Sequence, residues 1–72
     1  MKYKFIVGIL DGNHISYVTG IDNASRMAKW ESGKPAKAFT ARMTEDLVVG
    51  LALNGFKAVN MKVPDFYTLV ND

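Results

Sequence analysis

The 72 residues predict an α+β fold: a two-layer sandwich of one helix on a mostly antiparallel sheet, in the order β-β-(β)-α-β-β and within a single domain spanning 1–72. Four stretches carry this prediction. "MKYKFIVGIL" and "ISYVTGI" alternate apolar residues across a turn-forming "DGN". "TEDLVVGLALNG" has acidic residues at its start, apolar residues at helical spacing and an Asn-Gly stop. "FKAVNMKV" alternates again.

In the first hairpin, Tyr3, Phe5, Val7 and Ile9 occupy alternate positions, as do Ile15, Tyr17, Thr19 and Ile21. A three-residue loop, Asp11 to Asn13, pairs Ile9 with Ile15, Val7 with Tyr17, Phe5 with Thr19 and Tyr3 with Ile21. All eight then share one face. A two-residue loop of Gly12 and Asn13 pairs Leu10 with Ile15 and Val7 with Val18 and scatters the apolar set. Because a one-residue slip moves every side chain to the other face, the longer loop is expected.

Between the hairpin and the helix, "GIDNAS" and "ESGKP" read as turns, and "RMAKW", 26–30, as a short third strand with Met27 and Trp30 packing. Residues 36–43 stay open. Ala36 and Phe39 suit a helical turn, whereas Phe39, Ala41 and Met43 suit a strand. Thr44, followed by Glu45 and Asp46, is a helix start; Thr40 is an alternative, earlier cap.

At about 100° per residue, Leu47, Val48, Leu51 and Ala52 form one stripe. Val49 and Leu53 fall outside it, beside Glu45 and Asp46, and form a candidate oligomer interface. Gly50 weakens the helix by about 1 kcal/mol relative to alanine, and close approach of a neighbouring backbone is its expected compensation. After the helix, Val59, Met61 and Val63 face one way and Ala58, Asn60 and Lys62 the other. Pro64 and Asp65 read as a turn, and "FYTLV", 66–70, as a last strand. The helix is expected to cover the face bearing Tyr3, Phe5, Val7, Ile9, Ile15, Tyr17 and Ile21.

Composition narrows the function classes. There is no cysteine and one histidine, so neither a disulfide, a thiolate site nor a structural zinc is expected. The apolar run of "MKYKFIVGIL" is short, Asp11 ends it, and no run reaches membrane-spanning length. The expectation is a soluble cytoplasmic protein without membrane contact. His14 reads as a solvated hairpin residue. Glu45 and Asp46 are adjacent on a helix and diverge by about 100°, so they make no acid/base pair. No phosphate loop or serine-nucleophile motif is present. No catalytic residue, metal or cofactor is therefore assigned. A chain this short buries only about 60–65% of its unfolded surface, and self-association enlarges such a core, which suggests a homodimer.

Charge is concentrated. Arg26, Lys29, Lys34, Lys37 and Arg42 face one acid, Glu31, within 26–42, while the rest of the chain is net acidic. A local basic cluster of this kind is the footprint of phosphate binding, and Trp30 is placed to stack on an unpaired base. The same residues also read as a solvated lysine-rich segment around a packed tryptophan.

The segments "KYKFIV", "SYVTGID", "KPAKAFT" and "MTEDLVVGLALNGFKAVNMKV", in this order, resemble small, mostly uncharacterised proteins encoded by phages and prophages of Gram-positive bacteria. The residues that carry the resemblance are Tyr17, Thr19 and Gly20, then Lys37, Ala38 and Phe39. It implies an intracellular accessory protein and brings no catalytic residues with it. The expected function is a non-enzymatic protein-interaction module whose partner is another protein or a second copy. Nucleic-acid binding through 26–42 is the alternative.

Overall fold

A computed structural model describes residues 3–64 and 68–72. In chain order its elements are β1 (Tyr3–Asp11), β2 (His14–Tyr17), β3 (Gly20–Ile21), β4 (Ala28–Lys29), α1 (Ala41–Leu53) and β5 (Lys57–Pro64). The expected α+β class is observed. A three-stranded antiparallel sheet runs in the order β2-β1-β5, β3 and β4 form a separate two-stranded ribbon, and α1 packs on the sheet.

The core lies between α1 and one sheet face. Val7, Ile9, Val18, Phe39 and Leu51 form it, and Ile21, Ala28, Trp30, Leu47, Val48 and Ala58 pack around it. β1 faces β5 with Ile9 opposite Ala58 and Val7 opposite Asn60. Ala58 and Asn60, not Val59 and Met61, therefore share the helix side. Thr44 is fully buried there, and its hydroxyl donates to Ala41 O at 2.7 Å.

The hairpin register differs from expectation. Gly8 pairs with Tyr17, Ile9 with Ser16 and Leu10 with Ile15, so the loop is the two residues Gly12 and Asn13. Gly12 has φ +59°, at the position glycine takes in a type II′ turn, whose twist matches that of the strands. Ile15 and Tyr17 thus lie on the face away from α1. The one-face argument failed because that second face is also apolar. Ile6 is buried there, and the side chains of Ile15 and Met61 close over Gly8.

β2 leaves β1 after Val18, whose N–H bonds Val7 O at 2.9 Å. Phe5 does not reach Gly20. Instead Phe5 and Phe39 exchange two backbone hydrogen bonds, of 3.1 and 2.7 Å. Residue 39 is thus an isolated strand bridge, and the helix starts directly after it. Thr40 is the N-cap and accepts from Met43 N at 3.3 Å, so the earlier start is the one adopted and Thr44 sits inside the helix. The helix stops at Asn54, with Gly55 at φ +87°, as the Asn-Gly pair predicts. Gly50 has open space where its Cβ would be, so no neighbouring backbone compensates for it.

The expected third strand shrinks to Ala28–Lys29, paired with Gly20–Ile21 rather than with the main sheet. Between them, residues 22–27 turn tightly: Asp22 N–H bonds Met27 O, Arg26 N–H bonds Asp22 O, and Arg26 adopts φ +61°. Pro64 ends β5, and the expected turn of Pro64 and Asp65 runs into residues outside those described. Of the expected last strand, residues 66 and 67, like Asp65 before them, lie outside the described residues, and Val70 forms one bridge with Pro35.

Candidate functional site

The outer surface of α1 is the first candidate. Its buried side is Thr44, Leu47, Val48 and Leu51, and the opposite arc carries Arg42, Glu45, Asp46, Val49 and Leu53. Val49 is 59% exposed and Leu53 84%. Four residues apart, they are neighbours on successive turns and make one apolar patch with carboxylates beside it. Ala52, expected in the buried stripe, is exposed.

The basic segment does not stay together as one surface. Lys29 and Lys34 both turn to Glu31, with Nζ to carboxylate distances of 3.6 and 3.5 Å. Lys34, and after it Lys29, holds the Glu31 carboxyl below the usual carboxylate range. Lys37 instead lies over the Phe39 ring, 5.9 Å from its centroid. Together with Lys4 of β1 it lines an open groove of about 470 Å³ floored by Phe5, Ala38 and Met43 and reaching the Thr40 cap. Arg42 follows in the first turn of α1, and Arg26 lies near the other end of the helix, beside Gly50 and Asn54.

Trp30 is half-buried against the core and meets Phe56 edge to face, with centroids 5.2 Å apart and rings at 76°. This packing gives the single tryptophan a structural role, as the second reading of 26–42 expects. Phe56, just past the helix stop, was not singled out in the sequence. Its signal was an aromatic residue directly after the helix-ending glycine. Trp30 and Phe56 wall a cleft of about 440 Å³ whose other side is the β1–β2 turn.

Asn71 is the other residue the sequence did not reveal. Its carboxamide, nearly buried, accepts from Tyr17 N at 2.7 Å and donates to Tyr17 O at 2.8 Å and to Glu31 O at 3.0 Å. The tail around it is tied to the 33–36 segment by backbone bonds from Gly33 to Asn71, Asn71 to Lys34 and Ala36 to Leu69.

Among the described residues no cluster of three histidine or acidic side chains is positioned to hold a metal, and no helix is long and apolar enough to cross a membrane. No protein-family model matches the chain, and neither does any curated protein or solved structure.

Proposed function

We propose that the protein is a non-enzymatic interaction module that contacts another protein, in the first place a second copy of itself, through the outer face of α1. The observation that carries this reading is Leu53, 84% exposed, next to Val49 at 59%, on a helix whose other side is already packed. Leaving two large aliphatic side chains on adjacent turns in water forgoes burial free energy that a partner surface recovers, about 1.5–3 kcal/mol for each side chain fully covered. The flanking Glu45 and Asp46 supply a polar rim. The resemblance to phage and prophage proteins supports an accessory role, and the cysteine-free sequence fits the cytoplasm. The test is solution mass against concentration for the wild type and Leu53→Glu, with circular dichroism to verify folding.

A second reading, binding of nucleic-acid phosphates, is favoured by Lys4 and Lys37 lining one groove beside the start of α1. If this groove is the contact, retention of DNA or RNA falls steeply with salt, and Lys37→Ala lowers the salt slope by about one unit. Absence of retention at low salt rejects it.

A further inference from the structure

We infer that the cleft between the β1–β2 turn and the Trp30–Phe56 pair is a binding site for a small organic cation with an alkylated ammonium head. At about 440 Å³ the cleft has the size of a small-ligand site. Two aromatic rings, packed edge to face at 76°, line it. Ring faces attract cations, and they do so best for alkylated ammonium ions, whose apolar methyl groups lose little on leaving water.

Of the two charged residues that line the cleft, Asp11 and Lys57, the acid lies on its core side. Ile9 belongs to the helix-side core, Asp11 follows it by two residues on β1, and Ser16 pairs with Ile9, so all three share one face. Asp11 is the one acid among the lining residues. Lys57 also borders the cleft, but it pairs with Leu10 and so falls on the opposite sheet face by strand alternation. Gly12 and Gly55, with nothing within 4 Å of where a Cβ would be, leave the rim open. One carboxylate and one hydroxyl are too few oxygens for a bare metal ion, which takes six or so. They suit a cation that needs one counter-charge and an apolar wall.

Trp30 is the only tryptophan, so its emission and its indole N–H resonance report on this cleft directly. The experiment titrates the folded chain with tetramethylammonium chloride at one fixed pH, against equal sodium chloride and against tert-butanol as the uncharged shape match. The expected result is a saturable shift with tetramethylammonium alone. It should weaken about threefold to fivefold in Asp11→Asn, the worth of one partly exposed charge pair, and vanish in Phe56→Leu. Absence of saturation overturns the assignment. So does an equal response to tert-butanol, or an Asp11→Asn variant that binds as tightly as the wild type.

Discussion

Tyr17 and Asn71, 54 positions apart, are joined as two strands are: the Asn71 carboxamide accepts from the Tyr17 N–H and donates to the Tyr17 carbonyl. A side-chain amide thus stands in for a peptide group at the end of β2. Its third bond, to Glu31 O, ties in the chain following the ribbon. Three separate segments meet at one residue next to the C-terminus.

Asn71→Ala should cost about 2–3 kcal/mol, because it strands the part-buried N–H and C=O of Tyr17 as well as losing its own bonds. Asn71→Asp should be at least as damaging, since a carboxylate cannot donate to Tyr17 O or Glu31 O. Urea denaturation measures both, and a loss below about 0.5 kcal/mol for either would show that the clamp contributes little.

Gly8 tests the register. A Cβ there would lie 2.9 Å from Ile15 Cδ1 and 3.1 Å from Met61 Cε. Gly8→Ala is expected to destabilise by about 1 kcal/mol, since both obstructing atoms are ends of flexible side chains. Ile15→Val removes the nearest atom, so the double variant should recover most of the Gly8→Ala loss. A double-mutant cycle with no coupling would mean that Ile15 does not lie over Gly8.

Glu31 gives a pH signature. Its folded carboxyl titrates below its ordinary value, chiefly through Lys34 and then Lys29. The stabilisation is complete above the unfolded pKa near 4.5 and is lost as pH falls through the lower folded value. Lys34→Met should raise the Glu31 pKa toward the ordinary value and flatten stability against pH in that acid window. Carbon-detected NMR titration of Glu31 checks this, and an unmoved pKa would contradict the pairing.

The sequence revealed those elements that rest on local rules. Alternation gave β1, β2 and β5, and Asn54-Gly55 gave the helix stop, because period and positive φ are properties of short stretches. The exposed position of Val49 and Leu53 followed from helical rotation alone. The register did not, because Ile6, Gly8, Ile15 and Met61 make the second sheet face apolar as well, and a pattern with two apolar faces does not choose between slips. Thr40 and Thr44 are equally good caps locally; burial of Thr44 against the sheet decides for Thr40. Asn71 was invisible for a different reason: its partners are set by the fold of distant segments. The basic run divided because Glu31 sits between Lys29 and Lys34, while Lys37 lies over Phe39 in a groove that neither of those lysines lines.

Sedimentation equilibrium of the wild type and Leu53→Glu, from low to high micromolar concentration, tests the α1 interface most directly. A mass that rises with concentration in the wild type, and stays that of an 8.0 kDa monomer in a folded Leu53→Glu, is the predicted result. A wild type that remains monomeric throughout, or a Leu53→Glu variant that associates as strongly, would contradict it.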